Sequence, residues 1–119
     1  MDNTAPGVPV GFMLLFVCTG LLLVGLSIPL LRRRIKPNGL YGFRTLKTLG
    51  DECIWYESNA YAGKWLLISG AIHTVVSLVL YFVPSYRANL LAYAITCGVI
   101  FALVFVATIT LSFRFLHTL

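Results

Sequence analysis

The sequence predicts an all-α membrane protein with three transmembrane helices, and three observations carry that prediction. Of the 119 residues, 59% are hydrophobic, well above the apolar share of about 45–50% in soluble domains. Two runs of 24 residues, Val8–Leu31 and Leu90–Phe113, and one of 19, Trp65–Val83, contain no Asp, Glu, Lys or Arg. None of them alternates polar with apolar positions as the strands of a membrane barrel do. In hydrocarbon every peptide group must then be satisfied within its own run, and only a helix does that. The chain reads as one integral membrane domain, 1–119, with spans at about 8–31, 60–83 and 90–113 and a structured loop at 32–59.

The first span exceeds the roughly 20 residues a helix needs to cross about 30 Å of hydrocarbon. Only Asp2 is charged before it, whereas Arg32, Arg33, Arg34 and Lys36 follow it. That order is the reverse of a secretory signal and reads as an uncleaved anchor with its N-terminus outside. Pro29 has no N–H for the carbonyl of Gly25, so a kink is expected there.

Cations fix the orientation. Seven of the nine Lys and Arg residues lie between Arg32 and Lys64, with Arg87 in the second connection and Arg114 in the tail. The rule that short cytoplasmic loops carry the positive charge puts the long loop and the C-terminus in the cytoplasm and the turn at Pro84 outside. Tyr81, Tyr86 and Tyr93 would then mark the outer interface, and Trp55, Tyr56, Tyr61 and Trp65 the inner one. The basic balance thus reports membrane topology, and no nucleic-acid partner is expected.

Within the loop, Arg32, Arg33, Arg34 and Lys36 attract anionic lipid headgroups at about 1 kcal/mol per cation. Pro37 stops the helix, and Asn38-Gly39 predicts a tight turn with positive φ. Thr48, with Asp51 three residues on, predicts a capped helix from near Leu49 that runs unbroken to Val83, about 52 Å at ~1.5 Å per residue. Arg44 and Lys47 are expected to pair with Asp51, Glu52 and Glu57 in a lattice that clamps the loop. The functional alternative is a binding surface on which Arg44 meets an anionic lipid, a peptide carboxylate or a partner's acid while Trp55 and Tyr41 supply contact area.

Small residues let helices approach closely in lipid. Gly63, Gly70 and Ser77 recur every seventh residue in the second span, and Ala94, Gly98 and Ala102 every fourth in the third. Both sets are candidate helix-packing faces, within the chain or against another membrane protein. His73 is an ionisable residue inside a span. It reads either as a hydrogen-bonded core residue, with Ser69, Thr74 and Ser77 near it on the same helix, or as a ligand to a pigment or other cofactor. No cofactor is expected otherwise.

Cys18, Cys53 and Cys97 lack metal-ligand spacing and are expected as free thiols, with no metal site. Cys53 has no His near it in sequence, and the acids besides Asp2 are three loop carboxylates. Nucleophilic and acid–base catalysis both lack their parts, so the chain is not expected to be an enzyme.

Lys36-Pro37-Asn38, Gly42-Phe43-Arg44-Thr45, Thr48, Trp55 and Gly63, set between hydrophobic spans, resemble the signature loop of the SdpI family of bacterial membrane proteins. The resemblance covers roughly residues 30 to 83. Leu46 stands where a Pro often follows the Arg-Thr pair, Asn59 where a His often follows the Trp, and three spans are present where the fuller immunity proteins have six. The resemblance implies a multi-pass protein of the bacterial inner membrane. It implies immunity to a membrane-acting peptide toxin, or signalling by holding a repressor at the membrane. It also implies that Asn38, Gly42, Arg44, Thr45, Thr48, Trp55 and Asn59 bind the toxin or partner. The alternative function is an accessory subunit of a larger, energy-converting membrane complex. A transporter would have few spans and no buried carboxylate.

Overall fold

The computed structural model describes residues 7–119, and Asp2, used above to orient the first span, lies outside the described residues. The chain is helical: α1 Gly7–Leu31, α2 Leu46–Gly50, α3 Glu52–Tyr81, α4 Pro84–Ala88 and α5 Leu90–Leu116. α1, α3 and α5 are each long and apolar enough to cross a membrane. The chain forms a rod of 55 × 22 × 19 Å.

Local chemistry sets each helix end. At the end of α1, Arg33 donates its N–H to the Leu30 carbonyl at 3.1 Å and Arg34 to the Pro29 carbonyl at 3.0 Å. This is a Schellman closure, and it places Arg33 in the left-handed region at φ 56°, where a side chain costs about 1–2 kcal/mol. α1 passes through Pro29 and ends two residues later.

The expected helix start at Thr48 is corrected. Thr45, not Thr48, is the first cap: its hydroxyl accepts from Thr48 N–H, and the Thr48 hydroxyl accepts from Thr45 N–H, closing a capping box around α2. Asp51 then breaks the chain in an extended conformation and caps α3, its carboxylate accepting from Cys53 N–H at 2.8 Å and Ile54 N–H at 3.2 Å. The single helix expected from Leu49 to Val83 is therefore two helices, and α3 begins at Glu52. Pro84 opens α4 at a position where its missing N–H is harmless, and the Asn89 side chain caps α5 by accepting from Ala92 N–H at 3.1 Å.

α3 is the central helix, packed against α1 on one side and α5 on the other. Its seam with α1 is built on glycine. A Cβ on Gly70 would stand 2.7 Å from the Gly20 carbonyl oxygen, and one on Gly20 2.8 Å from the Gly70 carbonyl oxygen. A Cβ on Gly63 would meet the Leu31 nitrogen at 2.9 Å. The backbones touch there because no side chain separates them.

The seam with α5 is built on polar and aromatic groups. Tyr93 O–H donates to the Ser77 carbonyl at 2.7 Å, Ser69 and Thr108 share a hydrogen bond, and Tyr61 stacks on Phe115 at 4.1 Å. Ala94, Gly98 and Ala102 do not form this face: Tyr93, Cys97, Thr108, Ser112 and Leu116 are buried instead, and a Cβ on Gly98 would meet nothing within 4 Å. Leu15, Leu22, Val75, Leu91, Leu103 and Val106 point outward from the three long helices. Such a shell suits hydrocarbon rather than water as the surrounding medium.

Candidate binding site

The chain between α1 and α2 folds back over one end of the three long helices, and its shape follows from a few side-chain to backbone bonds. After Pro37 has stopped any continuation of α1, the Asn38 carboxamide builds the turn itself. Its Oδ1 accepts from Leu40 N–H at 2.8 Å and Tyr41 N–H at 2.7 Å, and its Nδ2 donates to the Lys36 and Tyr41 carbonyls at 2.8 and 3.0 Å. The turn is thus an Asx turn. The positive φ expected at Asn38-Gly39 falls instead at Gly42, at +121°. Tyr41 O–H donates to the Leu26 carbonyl of α1, and burial raises the phenol pKa above its ordinary value.

Gly42 lies flat on Trp55 and Asn59. A Cβ there would stand 2.8 Å from Asn59 Oδ1 and 3.0 Å from Trp55 Cη2. Trp55 is 0% exposed and donates its indole N–H to the Ile35 carbonyl at 2.7 Å. Asn59 is also buried and grips the peptide groups on both sides of Phe43, accepting from Phe43 N–H at 2.5 Å and donating to the Phe43 carbonyl at 3.3 Å. The buried Thr48 hydroxyl donates to that same carbonyl at 3.0 Å. Trp55, Asn59 and Thr48 therefore form an internal scaffold for the loop. Trp55 offers no accessible area for a partner and does not belong to an interfacial aromatic belt.

The expected ion-pair lattice is corrected too. Among the described residues the salt bridge is Arg33 to Glu57, at 2.9 Å and half-exposed on both sides. Lys47 instead donates to the Leu116 carbonyl at 3.0 Å and closes the end of α5, where a cation suits the helix dipole. Asp51 spends its carboxylate on the α3 cap. Arg44 is exposed and pairs with no carboxylate among the described residues.

What Arg44 overlooks was not expected from the sequence. A cleft of about 400 Å³ opens beneath the loop, walled by Leu30 of α1, Ala62 and Leu66 of α3, and Phe105, Ile109 and Phe113 of α5, with Tyr41 to Arg44 as its roof. Phe43 closes one side by meeting Phe113 edge-on at 5.0 Å. The α5 wall carries no sequence signal, because an apolar residue lining a cleft and one facing lipid look alike inside a span. Phe43 did carry one: it sits within the glycine-to-threonine motif whose neighbours were singled out.

The remaining candidates lie elsewhere. His73 is 2% exposed, between Phe16 of α1 at 5.8 Å and Phe101 of α5 at 4.9 Å, and neither ring nitrogen has a hydrogen-bond partner among the described residues. The Ser77 hydroxyl one turn on is equally unpaired. Cys18, Cys53 and Cys97 are free thiols. Arg32, Arg34 and Lys36 are exposed around the start of the loop.

Residues 34–113 match the sequence model of the SdpI/YfhL protein family. Among curated proteins the chain is similar to the uncharacterized protein YfhL of Bacillus subtilis (strain 168), 33% identical over 43 residues. The match covers 36% of this chain and 39% of that protein, so the chain spans about two fifths of the relative's length. No solved structure matches the chain.

Proposed function

This chain belongs to the SdpI/YfhL protein family, and on that premise we propose that it is a multi-pass protein of the bacterial cytoplasmic membrane that acts by binding a toxin peptide or a partner protein rather than by catalysis. The loop side faces the cytoplasm in this reading, supported by the seven cations between Arg32 and Lys64. The N-terminus and the turn at Pro84 then lie outside.

One observation carries the binding reading: an arginine on a pinned loop, without a carboxylate partner among the described residues, stands at the mouth of an apolar cleft. The other polar and aromatic side chains of the loop motif are directed inward. Asn38 shapes the turn, Asn59 and Thr48 hold Phe43, and Trp55 holds Ile35. Arg44 is left as the group that can meet something else, and guanidinium recognises carboxylate or phosphate through paired N–H donors.

The test is protection. Cells producing the wild-type chain are challenged with a membrane-acting peptide toxin of the kind SdpI-type immunity proteins counter, beside cells producing equal amounts of Arg44→Ala. Survival with the wild type and its loss with Arg44→Ala is the expected result. Equal survival of both strains and of cells lacking the chain, together with no protein whose capture from gentle detergent depends on Arg44, overturns the reading.

A further inference from the structure

We propose that the cleft beneath Arg44 holds an acyl chain of an anionic phospholipid from the loop-side leaflet, with the lipid phosphate paired to the Arg44 guanidinium. The proposal uses the same rim as the binding reading but does not require a toxin.

Position comes first. Leu30 lies next to the last residue of α1, Ala62 and Leu66 in the part of α3 nearest the loop, and Phe113 near the end of α5. The cleft therefore opens toward the loop end of the three spans and reaches along α5 to Phe105, so that in this proposal a lipid headgroup meets Arg44 at the mouth and its chain lies against the apolar wall. Its volume of about 400 Å³ falls within the range of about 300–1,000 Å³ typical of ligand sites.

Chemistry then selects the occupant. The polar side chains on the floor are already committed: Ser112 O–H donates to the Thr108 carbonyl at 2.7 Å, and Thr108 O–H to the Val104 carbonyl at 3.0 Å beside its bond with Ser69. The Phe43 peptide groups in the roof are held by Asn59 and Thr48. A peptide backbone drawn into the cleft would bring N–H and carbonyl groups that find few partners there, at a cost of about 1–3 kcal/mol each, so a peptide bound at Arg44 would lie across the mouth rather than inside. An acyl chain brings none. Among the described residues that line the cleft the charged one is Arg44, so the best complement is a single anion joined to an apolar tail. Asn59, Thr48 and Trp55 hold the backbone around Arg44 in place, so binding a phosphate need not first order the loop.

The experiment is native mass spectrometry of the purified full chain, equilibrated in mixed micelles holding equal amounts of phosphatidylglycerol and phosphatidylcholine with the same acyl chains. The wild type is expected to retain phosphatidylglycerol over phosphatidylcholine by about fivefold, the preference one interfacial cation supplies. Arg44→Gln should bring that ratio close to one, whereas Arg34→Gln, which removes only a diffusely attracting cation away from the cleft, should lower it by clearly less. Ala62→Phe, which fills the cleft, should remove both lipids. Arg44 is exposed, so its variant folds and decides the matter even where the cleft-filling variant does not fold.

An unchanged ratio in Arg44→Gln, or an equal fall in Arg34→Gln, overturns the proposal in favour of diffuse attraction to the basic loop. A peptide or second chain retained at fixed stoichiometry in place of lipid, and lost with Arg44→Gln, overturns it in favour of a protein ligand. Toxin survival is read separately: protection can fail with lipid selectivity intact, and lipid selectivity can fail with protection intact.

Discussion

Asn59 on α3 holds Phe43 in the loop by both neighbouring peptide groups, accepting from its N–H at 2.5 Å and donating to its carbonyl at 3.3 Å. The two residues are 16 apart in sequence, so this one carboxamide ties the loop to the helix bundle. Thr48 also donates to the Phe43 carbonyl, which leaves the N–H as the group with no substitute. Asn59→Leu keeps similar bulk and strands that N–H, at an expected cost of about 1–3 kcal/mol. Hydrogen exchange should show protection lost at residues 42–45 while α1 and α5 keep theirs. Native-like protection in that stretch would mean that Thr48 and Trp55 hold the loop without Asn59.

Gly42 makes the same contact from the other direction. At φ +121° it occupies a region that side chains rarely enter, and the added carbon of Gly42→Ala would lie 2.8 Å from Asn59 Oδ1 and 3.0 Å from Trp55 Cη2. Strain of this kind costs about 1–3 kcal/mol before any clash is relieved. The expected outcome is a lower thermal midpoint in detergent and faster proteolytic cleavage between Gly39 and Leu46. Gly39→Ala serves as the control, since a Cβ at Gly39 meets nothing within 4 Å. Equal behaviour of the two variants would remove Gly42 from the scaffold.

The spans were legible because freedom from charge over 19 to 24 residues is a signal that needs no tertiary information. The helix starts were not. Thr45, Thr48 and Asp51 are spaced three apart, so each is a candidate cap in the local pattern. The choice is made by Phe43, whose carbonyl draws the Thr48 hydroxyl inward and leaves Thr45 and Asp51 to cap. The ion-pair lattice failed for a related reason: Asp51 is occupied by backbone amides and Glu57 by Arg33. On α5 the small-residue stripe was the visible signal. The packing face instead follows Tyr93, Thr108 and Ser112, whose polar groups must find partners in a medium without water. That requirement outweighs close approach at Ala94, Gly98 and Ala102.

Two glycines with the same sequence-level reading should therefore respond differently. Gly70→Ala places a Cβ 2.7 Å from the Gly20 carbonyl oxygen and 2.9 Å from the Val24 nitrogen, so α1 must move off α3. Gly98→Ala meets nothing within 4 Å and gains helix propensity. A clear fall in thermal midpoint for Gly70→Ala, and a change between none and a slight rise for Gly98→Ala, is expected. A large loss from Gly98→Ala would place another copy or another protein against that stripe.

Native cysteines provide a topology test without an added tag. Cys53 is exposed in the first turn of α3 beside the loop, Cys97 is buried, and Cys18 lies midway along α1. With the loop in the cytoplasm, a membrane-impermeant maleimide should label the chain in inverted vesicles and not in intact cells, and Cys53→Ser should abolish the labelling. Labelling of Cys53 in intact cells would reverse the orientation.

His73 has its two ring nitrogens unpaired among the described residues and is 2% exposed, with Phe16 and Phe101 against its ring. An unpaired buried polar group costs about 1–3 kcal/mol, whereas a swap to an apolar side chain of similar volume costs less than about 1.5 kcal/mol in repacking. Edge contacts between the imidazole and the two phenyl rings recover only part of the first amount. His73→Leu is therefore expected to leave the thermal midpoint unchanged or to raise it, and pairing it with Ser77→Ala should raise it further, since the Ser77 hydroxyl is unpaired as well. The opposite result, a loss above about 3 kcal/mol, exceeds what repacking accounts for and would mean that the imidazole holds a bound group in the membrane. The visible absorption spectrum of the purified chain, with and without the substitution, would then separate a pigment ligand from a colourless one.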